Sequence, residues 1–263
     1  MSEEKPFTVV IPARFGSSRM PGKPLEDISG KPMIQHVYEL ALKSSAERVI
    51  IATDDERIVS VAEGFGAEVC MTLAGHPSGT DRLQEVSFIY GMSDDHVIVN
   101  VQGDEPLMPP LIIDQVAANL YGDRDVSAAT LCERITSRDQ LFNPNIVKVV
   151  VDDKGHALYF SRAPIPWNRE LFVGSSAQLT ETDYFRRHIG IYAYRVNLLT
   201  RYVQWGICPP EKMEALEQLR LLWNGQSIHV EDAVVSPPQG VDTEQDLAEV
   251  RQIIERREGR VLL

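Results

Sequence analysis

The chain reads as an α/β protein with a mostly parallel sheet flanked by helices, and three observations carry that reading. Apolar runs of strand length alternate with amphipathic runs of helical period through the first half. The first apolar runs end in polar, turn-forming loops, where such sheets place their ligands. A chain of 263 residues, 43% hydrophobic, can fill one large core, and no linker divides it.

Phe7-Thr8-Val9-Val10-Ile11 is the first strand. Pro32, at a first helical turn, opens the amphipathic run Met33 to Leu42. Arg48 to Ala52 is a buried strand, Asp54 or Asp55 caps a helix through Phe65, and Val69 to Met71 is a short strand. Thr80 to Tyr90 is helical and His96 to Val101 is a further apolar strand. In the second half Val126 to Leu131, Ile146 to Val151, Ala157 to Phe160 and His188 to Tyr194 have β character, whereas 162–187 has few apolar periods. Glu211 to Trp223 and Thr243 to Glu258 are helical, the latter opened by Thr243 with Asp246 three residues on.

The loop after the first strand, Ala13-Arg14-Phe15-Gly16-Ser17-Ser18-Arg19-Met20-Pro21-Gly22-Lys23-Pro24-Leu25, carries three cations and no acid in a chain of net charge −12. Gly16 and Gly22 would let backbone N–H groups approach a polyphosphate, with Arg14, Arg19 and Lys23 supplying charge. The alternative is a solvated basic turn. It is not a P-loop: five residues separate its glycines and Pro24 follows Lys23, so any magnesium must be held by carboxylates from elsewhere. A pI near 5.0 argues against nucleic acid or an anionic membrane as partner and for a small metabolite held locally. Cys70, Cys132 and Cys208 are dispersed and odd in number, and read as buried reduced thiols of a cytoplasmic protein. No run is apolar long enough to cross a bilayer, and Met1 to Lys5 reads as neither a signal peptide nor a lipidation site.

Asp104, at the exit of an apolar strand, is placed either to hold a divalent cation or to form a turn in Gln102-Gly103-Asp104-Glu105-Pro106. Asp242, just outside a helix start, is either its companion ligand or a helix cap. In His76-Pro77-Ser78-Gly79-Thr80-Asp81-Arg82, Arg82 is a candidate to read a base such as cytosine, or an ordinary helix-surface arginine. Arg162, Arg187, His188, Glu217 and Gln218 are suited to a polyhydroxy acid, although a histidine such as His188, on a strand that alternates with Gly190 and Tyr192, is more often simply packed. Gly64-Phe65-Gly66 ends a helix rather than opening one and is no dinucleotide fingerprint.

Taken together, these blocks resemble the 3-deoxy-manno-octulosonate cytidylyltransferase (CMP-KDO synthetase) family over essentially the whole length. They run from Val9 to Arg14 with Pro21 to Leu25, through Ala52 to Asp55, His76 to Arg82, Val101 to Pro106, Ser161 to Pro166 and His188 to Arg195, to Glu214-x-x-Glu217-Gln218-Leu219-Arg220 and Gly240 to Leu247. Met20 and Phe15 are mild departures, from the family's usual Leu and Tyr. The resemblance implies a nucleotide-diphospho-sugar transferase-like (Rossmann-like) fold in a single domain, 1–263, with a smaller β-rich sugar-binding and dimerisation insertion at roughly 155–210. It implies a cytoplasmic homodimer that uses Mg2+, CTP and KDO and releases CMP-KDO and pyrophosphate for lipopolysaccharide synthesis. Carried onto this chain, Arg14, Ser17, Ser18 and Lys23 would bind phosphates, and Arg82 with the backbone at Pro12 and Ala13 would read cytosine. Asp104 and Asp242 would hold magnesium, with Lys23 as the third catalytic group. Arg19, Gln102, Arg162, His188, Tyr192, Glu217 and Gln218 would hold the sugar acid. Rival readings are a sialic acid cytidylyltransferase and a nucleotide-sensing regulator without catalysis.

Overall fold

The computed structural model describes residues 6–16, 20–172, 179, 184–257 and 259. At its centre is β1 (Phe7–Ala13), whose alternating side chains face two apolar clusters. Val9 and Ile11 pack in one cluster with Val37, Val99 and Val116, and Val10 packs in the other with Ile50, Leu83 and Ile98. A strand buried on both faces must be apolar almost throughout, which is why the run is so legible.

After a 3-10 turn at Lys23–Leu25, the chain forms β2 (Asp27–Ile28), β3 (Lys31–Pro32), α1 (Met33–Ala41), β4 (Arg48–Thr53), α2 (Glu56–Gly64), β5 (Glu68–Met71), α3 (Gly79–Ile89), β6 (Val97–Asn100), α4 (Pro110–Gly122) and β7 (Ala128–Arg134). There follow α5 (Arg138–Phe142), β8 (Lys148–Val151), β9 (Ala157–Ser161), β10 (Arg186–Arg195), α6 (Val196–Tyr202), α7 (Pro209–Glu214), α8 (Leu219–Trp223), β11 (Ile228–Asp232) and α9 (Glu244–Arg257). Among the described residues the main sheet has the order β11-β7-β10-β6-β1-β4-β5, with β8 joining β10 to β9. β1 runs parallel to β4 and β6, β4 to β5, and β7 to β11. β10 lies antiparallel between β6 and β7. The expected mixed, mostly parallel α/β sheet is the fold that forms.

Asp55, rather than Asp54, caps α2 through its bond from the Arg57 N–H, and Thr243 and Asp246 bond reciprocally at the start of α9. All three cysteines are buried and free. No helix among the described residues is long and apolar enough to cross a membrane.

α4 carries a helix signature in Pro110 at its start and the buried Ile112, Ile113, Val116 and Leu120. One expectation needs correction. Glu211 to Trp223 is not one helix. Ala215 takes a left-handed conformation (φ 52°) and splits it into α7 and α8, a break that only a glycine would have announced.

Lys148 is fully buried in β8. Its ammonium donates to the carbonyls of Asn143, Ile146 and Arg162 at 3.0, 2.6 and 2.5 Å, tying a loop to the end of β9. Burial, helped by the charge of Arg162, pushes its pKa down from the ordinary 10.5 to about 8. Above about 8 the folded protein sheds this proton while the unfolded chain retains it up to about 10.5, so this lysine makes stability rise with pH across that window. Denaturant unfolding of the wild type and Lys148→Met between those pH values should show the rise in the difference between them. Parallel pH profiles would contradict it.

Candidate active site

The loop that leaves β1 is fixed by Gly22, whose positive φ of 78° suits glycine and whose N–H donates to the Phe15 carbonyl at 2.8 Å. That N–H is therefore spent inside the loop, and the role of Gly22 is to aim Lys23 rather than to meet a phosphate itself. Lys23 Nζ lies 2.6 Å from Asp104 Oδ2 and 3.6 Å from Asp242 Oδ1, and donates to the Val241 carbonyl at 2.8 Å. Two carboxylates distant in sequence thus converge on one positive charge. Their loops are also bonded directly, since the Val241 N–H donates to the Asp104 carbonyl at 2.9 Å. A side chain at Gly240 would put its Cβ 2.8 Å from Glu105 Oε1 and 3.2 Å from the Asp104 carbonyl, so a larger residue here must displace the Glu105 carboxylate. Burial raises the Glu105 carboxyl to about 8, with the charge of Asp104 adding to the effect.

On one side of the 102–105 loop is a cavity of about 170 Å3 lined by Pro12, Ala13, Arg14, His76, Ser78, Gly79, Arg82, Gln102 and Glu217. Arg82, buried in α3, donates to the Thr72 hydroxyl and sits 3.3 Å from Asp54 Oδ2, which fixes its guanidinium and balances its charge. Glu217 accepts from the Thr80 hydroxyl at 3.1 Å, and burial raises its pKa. His76, which bonds Glu85, is a wall residue absent from the candidate set, although it stood inside the block that contains Arg82.

On the other side is a cavity of about 250 Å3 whose lining includes Asp104, Glu105, Asn145, Arg187, His188 and Asp242. His188 shares a 2.9 Å hydrogen bond with the Thr130 hydroxyl and packs edge-on to Phe160. Burial pushes its imidazole down to about 3, so it is neutral at physiological pH. Arg187 pairs with Glu133 at 2.7 Å, which positions the guanidinium at the cavity wall.

The structure therefore brings together most of the expected residues and divides them differently. Gln102 and Glu217, expected on the sugar, line the cavity of Arg82, while Asp104, Asp242 and His188 line the second cavity. Arg162, Tyr192 and Gln218 line neither. Arg162 uses its guanidinium on the carbonyls of Glu214 and Pro144 at 2.6 and 3.0 Å, a bracing role that its residue type alone did not reveal. Tyr192 is buried and stacks on Tyr194 with centroids 5.4 Å apart, and also packs against His188. Gln218 is buried at the start of α8. Ser17, Ser18 and Arg19 lie outside the described residues. The arrangement is a partition: one short loop presents Gln102 to one cavity and Asp104 to the other, with a lysine and two carboxylates at the boundary.

A family model described as Cytidylyltransferase matches residues 8–228. A 3-deoxy-manno-octulosonate cytidylyltransferase from Hahella chejuensis is 58% identical over 248 residues, covering 94% of this chain and 97% of that protein. Another, from Pseudomonas fluorescens, is 59% identical over 249 residues, covering 95% and 98%. A solved structure described as CMP:2-keto-3-deoxy-manno-octonic acid synthetase complexed with CTP superposes with a TM-score of 0.87 at 43% identity, over 96% of this chain and 100% of that one. A cytidylyltransferase from Leptospira borgpetersenii, at 15% identity and a TM-score of 0.58, shares the fold. Near-complete coverage at such identity places the chain: it belongs to the 3-deoxy-manno-octulosonate cytidylyltransferase family.

Proposed function

We propose that this chain transfers CMP from CTP to the anomeric 2-hydroxyl of KDO, releasing pyrophosphate and activating KDO for lipopolysaccharide synthesis in the cytoplasm. The observation that carries the reading is the pair Asp104 and Asp242 meeting at Lys23, between a cavity with a buried arginine and a cavity with an arginine and a neutral histidine. The first cavity suits the nucleotide. There Arg82, with the backbone at Pro12 and Ala13, reads the cytosine edge, and Arg14, with Lys23 at the cavity boundary, takes the phosphates, a role that Ser17 and Ser18, outside the described residues, would share. The second suits the sugar acid, whose carboxylate pairs with Arg187 and whose hydroxyls meet His188 and, across the partition, Gln102 and Glu217.

The oxygen-only pair Asp104 and Asp242, already drawn to a single cation, fits Mg2+. When bound there, Mg2+ supplies charge neutralisation at the phosphates and acidifies the attacking hydroxyl. The chain does the rest by position. It holds the 2-hydroxyl in line with the leaving pyrophosphate, so that an O–P bond forms at the α-phosphorus as the bond to the β-phosphate oxygen breaks. The hydroxyl proton passes to solvent, and no enzyme side chain becomes phosphorylated. Lys23 then faces the charge that develops on the departing phosphates. A homodimer completes the reading, supported by the exposed Leu158, Tyr159 and Trp167 on the 155–210 segment.

Pyrophosphate release from CTP, measured against a panel of 2-keto sugar acids, should be fast with KDO and negligible with a nine-carbon sialic acid; preference for the sialic acid, or CTP binding without turnover on any acid, would contradict the assignment. Asp104→Asn should still bind CTP yet lose turnover by about 10²–10³-fold at saturating Mg2+, and near-normal turnover would remove Asp104 from the mechanism.

A further inference from the structure

Asp123, His156 and His229 meet at the end of the sheet opposite the active site. β6 and β7 both run antiparallel to β10 and so point the same way, but Asp104 follows β6 whereas Asp123 precedes β7. Asp123 closes α4, His156 stands just ahead of β9, and His229 lies in β11. Asp123 Oδ2 is 2.7 Å from His156 Nε2 and 3.5 Å from His229 Nδ1, and one ligand atom from each residue lies within 4.8 Å of the others.

The backbone holds these side chains in place. Asp123 Oδ1 accepts the Asp125 N–H at 3.0 Å, which turns Oδ2 towards the rings. Asp152 Oδ1 accepts the N–H groups of Lys154 and His156 at 2.9 and 2.8 Å, and the Asp152 N–H donates to the His156 carbonyl at 2.8 Å. The Val230 N–H donates to the Gly155 carbonyl at 2.7 Å, and His156 and His229 form an antiparallel bridge. The two rings meet at 67° with centroids 6.4 Å apart. His229 Nδ1 is shielded from solvent and finds no hydrogen-bond partner, although the Asp123 carboxylate lies nearby.

Two imidazoles and a carboxylate from three segments are the donor set of a borderline divalent cation, whereas Mg2+ prefers oxygen alone. A tetrahedral ion at about 2.0–2.1 Å needs ligand atoms roughly 3.3–3.4 Å apart, between the shortest and longest spacings here and within reach of side-chain rotation. We infer that Asp123, His156 and His229 form a second cation site, of the zinc class, that clamps the end of α4 to β9 and β11, with water completing the coordination. Asp152 Oδ2, 4.0 Å from His156 Nδ1, faces the nitrogen that the ion leaves free.

The test is titration of the full chain with Zn2+ in excess Mg2+, against a competing chromophoric chelator, with Co2+ as an optical probe. The wild type should take up one more Zn2+ per chain than His156→Gln/His229→Gln, show a visible Co2+ d–d band that the variant lacks, and gain melting temperature with Zn2+ where the variant does not. Equal zinc uptake and identical Co2+ spectra overturn the proposal. If the double variant does not reproduce the wild-type circular dichroism, His229→Gln alone decides: zinc affinity falls by about tenfold or more, or it does not and the site is refuted.

Discussion

The ammonium of Lys23 between Asp104 and Asp242 is the contact on which the site depends. One loop leaves β1, another follows β6, and the third leads into α9, so this cation joins the two ends of the described chain. Without a positive charge between them, two carboxylates this close repel one another in a partly buried setting. In a chain of net charge −12, the positive charge of Lys23 on the first loop is therefore structural as well as chemical. Lys23 keeps apart and aims the two carboxylates, and in the proposed mechanism its charge would be available to phosphate if a dication were held by them.

The neighbouring electrostatics extend the same design. Arg82 is buried beside Asp54, so its guanidinium is oriented before any ligand arrives and needs little reorganisation on binding. His188 is kept neutral by burial and can act as a hydrogen-bonding wall without adding a charge that would compete with Arg187 for a carboxylate. Glu105, raised by burial and by Asp104, contributes little negative charge near neutral pH, which lessens the repulsion around Asp242.

Much of this was legible in the sequence because burial writes itself as composition. β1, β4 and β6 lie in the sheet interior, and their uninterrupted apolar runs cannot be mistaken. The antiparallel insertion of β10 between β6 and β7 left no such mark, since pairing partners are chosen by long-range packing and not by local pattern. The break at Ala215 was hidden because its left-handed backbone is carried by a residue that favours helices. At the site, Asp104 and Asp242 could be read as loop-end acids, but their convergence required the fold. Arg162 and Arg187 looked alike in sequence; the tertiary contacts send one to backbone carbonyls and the other to a cavity wall.

The claim that Asp104 and Asp242 serve one shared ion is tested most directly by a double-mutant cycle on the Mg2+ dependence of turnover, using Asp104→Asn, Asp242→Asn and the pair. A common ion predicts strong non-additivity, with each single variant losing nearly as much as the double. Losses that simply add would mean that the two carboxylates act on separate partners.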